Sequence, residues 1–416
     1  MKRVTAWATG HPVDLAVFRI VICAVVLLTT DVWSAARWAS FAVKPPDGWV
    51  FVSRLLPASP LAAQLATITL AIAVVLTLVG LFTQISSIVA ACSALWLLGI
   101  PQQSGQVMHT HHLVWFLAIV AVAPAGEALS IDRWLKNRKG VAAPGPSLAH
   151  GVPLRIAWLS VGLIFFFPGM WKALSGRTWL DALPRLVEWK WFQLGGEPLL
   201  SLPPRGLWWG GLAAIVFELG FIITLFSART RVIGAVLAIA FHQTIRLVMG
   251  IVFSSLWVCY AMFLPWAEWA AAPEEGAPTP RSRAIAPLIL GVLLLGGQLV
   301  TGFLGREDTW PVVAYPSFRF SAPEVIEWLE VEEVDASGAH VTLGKLQGGA
   351  EQRRWGVMTE LLRRPNPERL RAFYADWRGT IPPGVTELRF FRVKKRLGDQ
   401  SAPERIPLGT VIESLP

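Results

Sequence analysis

The fold of this 416-residue chain is decided by residues 163–192, which read LIFFFPGMWKALSGRTWLDALPRLVEWKWF. Their first part is the end of an apolar helix that runs through Pro168. Lys172 then stands where the hydrocarbon of a bilayer should give way to headgroups. The Trp-rich, charged residues that follow are too polar to span a membrane and too apolar for an ordinary loop. The stretch therefore predicts the end of a membrane span followed by an amphipathic segment at the interface.

The composition agrees with a membrane protein. The chain is 54% hydrophobic and 16% charged, with a mean hydropathy of +0.50, whereas soluble domains carry about 25% charged residues. Its net charge of +9 lies within residues 1–305, which hold 21 basic and 12 acidic residues, because residues 306–416 hold 16 of each. Beside a bilayer, such an excess is typical of membrane topology and anionic lipid contact rather than of nucleic-acid binding.

The sequence contains nine apolar segments, each close to the length of about 20 residues that a membrane-spanning helix needs. They cover approximately residues 13–35, 60–82, 85–101, 110–130, 153–174, 206–227, 231–247, 249–267 and 284–304. Gly250 is the predicted turn between the seventh and the eighth. The predicted fold class is an all-α polytopic membrane bundle of about nine transmembrane helices over residues 1–305, with a small C-terminal α+β extramembrane domain over residues 306–416.

Three patterns define the predicted C-terminal domain. Residues 327–346 alternate between apolar and polar around a turn signal at 335–338, which predicts a β-hairpin. Residues 353–379 have a helical pattern that two prolines interrupt. Residues 386–396 alternate again and predict a further strand.

The basic residues of the short loops predict the orientation. Ten of them fall on one side, at positions 2, 3, 133, 136, 138, 139, 229, 231, 281 and 283. This side is therefore expected to be cytoplasmic, together with the N-terminus. Nine spans then place the C-terminal domain outside, in what we expect to be the extracytoplasmic space of a bacterial cytoplasmic membrane. Trp179, Trp189 and Trp191 are expected to form an aromatic belt in the outer interface.

Ionisable residues within a span are costly and need a partner or a function. Arg19 follows Asp14 by five residues, which suggests either an ion pair or a side chain that reaches the interface. His111 and His112 open the fourth span, just after His109. These three side chains lie on different faces of a helix, so a metal site would need ligands from elsewhere, and we expect no metal. A hydrogen bond at an interface and a role in binding substrate or relaying protons are the alternatives.

Three further ionisable residues lie within the sixth and seventh spans. Glu218 stands in the middle of its helix and must be paired or protonated. His242 and Arg246 are four residues apart and share one helix face. We predict that Glu218 forms a buried pair with either His242 or Arg246. Such a pair would be a polar contact between helices or part of a functional site.

Five segments occur in the order and style of one family. They are DLAVFRIVICAVVLL from residue 14, THHLVWFLAIVA from residue 110 with EALSID after it, GMWKALSGRTWLD from residue 169, VFELGFIITLF from residue 216 and FHQTIRLVMGIVFSSLWVCYAMFLPW from residue 241. Together they resemble the horizontally transferred transmembrane domain (HTTM) family, which includes vitamin K-dependent γ-carboxylase. The resemblance covers roughly residues 10–305.

The resemblance implies a function. In the carboxylase, a lysine at the end of the corresponding helix deprotonates reduced vitamin K, and oxygen then generates the strong base that removes a proton from a peptide glutamate before CO2 adds. Lys172 matches that lysine, and His111 or His112 matches a histidine that stabilises an intermediate. Reduced vitamin K or menaquinol is the implied cofactor, with Glu218, His242 and Arg246 at its pocket, and the substrate is a peptide or lipid at the outer face.

Two functions remain open. The carboxylase has paired lysines where this chain has Trp171 and Lys172, and its lumenal region is much larger than residues 306–416. The alternative is a non-enzymatic membrane protein that binds a quinone or lipid, or that assists a secreted peptide or a partner. An enzyme requires Lys172 to face a closed apolar cavity with a histidine nearby, whereas an interfacial lysine would point to the headgroups.

Overall fold

In the computed structural model, long helices fill most of the first 305 residues, and a small antiparallel sheet lies in the tail. The structure describes residues 6–41, 58–103, 110–194, 198–273, 275–307, 309–314, 323–343, 352–378, 383–396 and 401–412. His109 and most of the segment 309–321 that follows the last span lie outside these ranges.

The helices are numbered here in chain order. They are α1 Pro12–Leu28, α2 Pro60–Val79, α3 Thr83–Leu97, α4 His111–Val122, α5 Ile131–Arg138, α6 Leu148–Ser175, α7 Arg177–Leu194, α8 Pro204–Gly220, α9 Ala228–Met249, α10 Ser254–Phe263, α11 Ile285–Phe303, α12 Gln352–Arg363 and α13 Pro367–Arg378. Short helical turns that carry no number lie at Thr30–Trp33, Ala35–Phe41, Pro101–Gln103, Phe221–Phe226, Trp266–Trp269 and Arg281–Ala284.

Six helices of the described chain are long and apolar enough to cross a membrane. They are α2, α3 with its extension to Gln103, α6, α8 with its extension to Phe226, α9, and α11 with the turn from Arg281. The other three predicted spans coincide with shorter helices, because α1 has 17 residues and α4 has 12, and α10 is likewise short. The count of nine spans is therefore not confirmed, although each predicted span contains a helix.

The ends of these helices have local causes. Gly250 adopts a left-handed conformation with φ +69° and ends α9, as predicted. Ala123 is extended because Pro124 follows it, and α4 therefore stops well before the predicted end at residue 130. Thr29 is likewise extended and ends α1 before residue 35.

Helix α6 lies at the centre of the bundle. It packs against α8 on one side, where a Cβ on Gly169 would lie 2.8 Å from Glu218 Cβ. It packs against α11 on another side, where the ring of Phe167 occupies the space that a Cβ on Gly302 would need. Glycine at these two contacts lets the helices approach closely, as is common between membrane helices.

The side chain of Arg19 holds the loop between α4 and α5. The guanidinium of Arg19 is buried and donates to the carbonyls of Ala125 at 2.6 Å and Leu129 at 2.5 Å. The alternative of an ion pair between Arg19 and Asp14 is not seen, because Asp14 instead accepts from the backbone N–H of Ala267 at 2.9 Å. A guanidinium has five donors in a fixed fork, and here two of its nitrogens donate to carbonyls of the loop.

Asp132, a residue of α5, caps the N-terminal end of α3. Its carboxylate accepts from the backbone N–H of Phe82 at 3.0 Å and from the N–H and hydroxyl of Thr83 at 2.8 and 2.7 Å. We expect Asp132→Ala to lower the free energy of unfolding by about 1 kcal/mol, since a lost N-cap costs about that much. Chemical unfolding in detergent micelles measures the change. Asp132→Asn retains an acceptor and should lose less, so equal losses in both variants would contradict the capping role.

The tail contains a four-stranded antiparallel sheet in the order β2-β1-β3-β4. Its strands are β1 Val325–Asp335, β2 His340–Leu343, β3 Val385–Arg396 and β4 Glu404–Ile412. The predicted hairpin is confirmed because Val334 pairs with His340 across the turn. The predicted broken helix is also confirmed, as α12 and α13, whereas β4 was not predicted.

Helix α7 is the amphipathic segment that the sequence predicts after Lys172. Trp179 is not part of an interfacial belt, because its ring is buried against α8 beside Leu180 and Gly211. Near the other end of the helix, Trp191 Nε1 donates to the carbonyl of Val248 at 2.7 Å. The ring of Phe192 meets Trp328 of β1 at 5.3 Å between centroids.

Candidate functional site

The most unusual feature of the bundle is a buried ion pair. Lys172 Nζ on α6 lies 2.5 Å from Glu218 Oε1 on α8. Lys172 is 6% exposed and Glu218 is 4% exposed. The sequence predicted that Glu218 pairs with His242 or Arg246, but the structure pairs it with Lys172. Lys172 therefore does not reach toward headgroups, and the alternative of an interfacial lysine is wrong.

The pair is held by the packing of α6 against α8. Gly169 precedes Lys172 by three residues, so both lie on the same face of α6. Because Gly169 has no side chain, the backbone of α8 at Glu218 comes close enough for the short contact with Lys172. Glu218 Oε2 is buried and has no hydrogen-bond partner among the described residues. One carboxylate oxygen is thus available to a further donor.

Aromatic side chains lie on the same helix faces as this pair. Lys172 Nζ lies 5.3 Å from the centre of the Trp179 ring, which is within the range of a cation–π contact. Phe165 lies two turns before Lys172 on the same face of α6 and contacts Phe217 at 5.4 Å between centroids. The surroundings are therefore apolar on several sides, and the ion pair is largely removed from water.

His242 occupies the same side of α6 at the level of Phe165. Its ring lies 5.6 Å from that of Phe165, and Nε2 is 2.7 Å from the hydroxyl of Tyr260 on α10. His242 Nδ1 is buried and has no hydrogen-bond partner in the described part of the chain. Tyr260 was not predicted from the sequence, because nothing in an apolar stretch marks one hydroxyl as the partner of a distant histidine.

The two histidines of α4 face different neighbours. His112 Nε2 is 3.0 Å from the carbonyl of Ser255, so this ring approaches α10 as His242 does. His111 packs against Trp310 at 4.7 Å between ring centroids, in the segment after the last span. These contacts place His112, but not His111, against α10, the helix that carries Tyr260.

Arg246 does not join the site. It is exposed, whereas His242 one turn earlier is buried, although the two share a helix face. The predicted role of Arg246 at the pocket therefore has no support in its placement.

The arrangement suits an apolar ring that carries hydroxyl groups. Glu218 Oε2 and His242 Nδ1 are buried polar atoms without partners among the described residues, and they lie on the side of α6 that Phe165 and Lys172 share. Buried polar atoms normally have hydrogen-bond partners. The carboxylate can accept a hydrogen bond from a hydroxyl. As for metals, no cluster of three histidine, cysteine or carboxylate ligands occurs in the ranges that the structure describes, and the absence of a metal stays a prediction.

Comparison with known proteins identifies the family. A family model, the HTTM domain, matches residues 8–269, which is more than half of the chain. No curated protein and no solved structure gives a match. The match includes Lys172, Glu218 and His242, together with five of the six long apolar helices. The chain therefore belongs to the HTTM domain family, and it is a multi-pass membrane protein related to the membrane part of vitamin K-dependent γ-carboxylase.

Proposed function

We propose that this protein is a quinol-dependent membrane enzyme in which the Lys172–Glu218 pair accepts a proton from the quinol. The observation that carries the proposal is the 2.5 Å contact between Lys172 Nζ and Glu218 Oε1 in an apolar interior. Buried ionisable groups within membrane helices are costly and mark functional sites more often than stabilising ones. The substrate is a peptide or lipid at the outer face, and reduced vitamin K or menaquinol is the cofactor.

Each residue of the pair has a defined role in this proposal. Lys172 is the base, and Glu218 takes the proton that the amine must lose before it can accept another. Because the two atoms are 2.5 Å apart, that proton moves without displacement of the helices. Glu218 Oε2 orients the quinol by accepting a hydrogen bond. When bound, the reduced quinone supplies an acidic hydroxyl and the chemistry with oxygen.

The histidines act at a distance from the pair. His242 is fixed by Tyr260 through Nε2, which leaves Nδ1 to contact the bound ring. His112 supports α10, the helix that carries Tyr260. His111 packs on Trp310 and is proposed to hold the segment after the last span against α4 rather than to touch the quinol.

The test is turnover of a reduced quinone. Purified protein is supplied with reduced vitamin K, or in parallel with menaquinol, in the presence of oxygen, and the quinone epoxide is measured by chromatography. We expect product with the natural protein and a loss of at least about 100-fold in Lys172→Ala, since a positioned general base contributes about 10²–10⁴-fold.

Lys190→Ala is the matched control. Lys190 is also buried and lies 4.8 Å from the ring of Trp189, but it belongs to α7 and not to the pair. Burial lowers the pKa of Lys190 to about 8, so the control removes another desolvated amine and should leave turnover unchanged. Absence of epoxide with the natural protein would rule out the enzymatic proposal. Product that persists in Lys172→Ala would rule out only the base.

The alternative proposal is a protein that binds a quinone or lipid without chemistry, or that assists a secreted peptide or partner. The observation that favours it is the glycine contact between α6 and α8, because a buried pair at such a contact also fixes two helices. Native mass spectrometry with menaquinone distinguishes the two. A stable adduct without turnover would support this alternative.

A further inference from the structure

A polar cleft lies at the end of the bundle opposite to Lys172. It is bounded by the start of α3, the loop after α4, helix α5 and the turn before α11, and its volume is about 360 Å³. That volume is within the range of about 300–1,000 Å³ that is usual for small-ligand sites. Its charged lining residues are Glu127, Asp132, Lys136 and Arg283. We call it the α5 cleft.

The two carboxylates of the α5 cleft already have partners. Asp132 caps α3 through three hydrogen bonds. Glu127 is bonded to His150 Nε2 at 2.7 Å and to the guanidinium of Arg283. Burial by itself raises the pKa of Glu127, but His150 and Arg283 outweigh it and lower that pKa below its usual value. Hydrogen bonds therefore compensate both carboxylates, and the exposed ammonium of Lys136 is the positive charge at the open side of the cleft.

The turn before α11 adds to this positive character. Ser282 and Ala286 line the cleft beside Arg283, at the N-terminal end of a long membrane helix. No side chain caps α11 or the turn that precedes it. The partial positive charge of a helix N-terminus favours an anion there.

The rim of the cleft is apolar where it meets the membrane-facing surface. On α5, Trp134 is 54% exposed and is accompanied by exposed Leu135. On the two flanking spans, Ile85 of α3 is 67% exposed and Ile289 of α11 is 57% exposed. A soluble anion would gain nothing from these side chains, whereas the acyl chains of a lipid would cover them.

We propose that the α5 cleft binds the phosphate group of an anionic phospholipid, with Lys136 and Arg283 contacting the headgroup and the acyl chains lying along α3 and α11. Lys136 and the uncapped turn before α11 match the phosphate, and the exposed apolar residues on both sides match the chains. Helix α5 then lies in the interface, with its apolar side chains toward the bilayer and its basic side chains toward the headgroups. This site is independent of the quinol site at Lys172.

The experiment measures lipid binding by native mass spectrometry. The full-length protein in detergent is titrated with dioleoyl phosphatidylglycerol and, separately, with dioleoyl phosphatidylcholine. We expect a discrete phosphatidylglycerol adduct and an affinity about tenfold lower in Lys136→Glu, because each basic residue near an anionic headgroup contributes severalfold. Glycerol 3-phosphate in millimolar amounts should not displace the lipid.

Lys139→Glu is the matched control. Lys139 directly follows α5, is exposed and does not line the cleft. Lys139→Glu therefore changes the net charge by the same amount as Lys136→Glu but leaves the lining of the cleft unchanged. We expect less than a twofold change in affinity. Because both positions are exposed, the two variants should retain the thermal unfolding midpoint of the natural protein without lipid. Lys136→Gln, a milder change, serves in place of Lys136→Glu if that midpoint falls.

Three results would overturn the proposal. Equal losses at Lys136 and Lys139 would mean general attraction to a charged surface. Equal binding of phosphatidylcholine would remove the headgroup selectivity. Displacement of the lipid by glycerol 3-phosphate would assign the cleft to a soluble phosphate instead.

Discussion

Lys172→Met should destabilise the protein by about 3–5 kcal/mol, because it leaves the buried carboxylate of Glu218 without its partner. Glu218→Leu should cost a similar amount, since it leaves the ammonium of Lys172 in an apolar interior. The double variant Lys172→Met with Glu218→Leu should lie within about 1 kcal/mol of the natural protein, because a buried ion pair can be replaced by apolar residues of similar volume. Reversible unfolding in mixed micelles measures all three.

The double variant also separates stability from chemistry. If the pair acts on a quinol, the double variant should fold well and show no turnover, whereas a purely structural pair would predict that function returns together with stability. A double variant that is as unstable as the sum of the single variants would show that the two side chains do not interact, which is inconsistent with their 2.5 Å contact.

Gly169→Ala should destabilise the contact between α6 and α8 by about 1–3 kcal/mol, the usual cost of overpacking. The added Cβ would lie 2.8 Å from Glu218 Cβ and 3.1 Å from the backbone nitrogen of Leu219. The second of these atoms belongs to the main chain, so a side-chain rotation cannot relieve it. The helices must separate, and the contact between Lys172 and Glu218 must lengthen. Thermal unfolding measures the first effect, and quinol turnover measures the second.

Gly220→Ala is the control for this change. Gly220 lies on the same helix as Glu218, and a Cβ there would meet nothing within 4 Å. Alanine is favoured over glycine within a helix by about 1 kcal/mol, so this variant should be at least as stable as the natural protein. A loss of stability at Gly220 equal to that at Gly169 would contradict the argument from packing.

The membrane fold was predictable from the sequence because the length of each apolar segment can be read from consecutive residues. Each of the nine predicted apolar segments contains a helix, and Gly250 ends α9 as its residue type suggests. The lengths of α1, α4 and α10 were less predictable, because tertiary packing can bury a short apolar helix inside protein as readily as in lipid. The orientation, the kind of membrane and the domain boundary near residue 305 stay predictions.

The candidate site was only partly predictable. Lys172 and Glu218 stood out because a charged residue in an apolar stretch is conspicuous, but their contact spans 46 positions and depends on the absence of a side chain at Gly169. Periodicity along one helix cannot show which neighbouring helix supplies a partner. The same limit explains Arg19, which bonds to carbonyls more than 100 residues away rather than to Asp14. For the same reason, Tyr260 was not predicted and Trp179 was predicted in an interfacial belt rather than beside Lys172.

Helix α7 has a practical consequence for experiments on the isolated membrane region. Its first turns place Trp179 beside Lys172, and thirteen residues later, roughly 20 Å along the helix, Phe192 rests on Trp328 of the tail. A second anchor joins the guanidinium of Arg37, after α1, to Asp376 of α13. Truncation after the last span would therefore remove the support of the helix that covers the buried pair. A shortened protein that lacks activity would say nothing about whether the tail takes part in the chemistry.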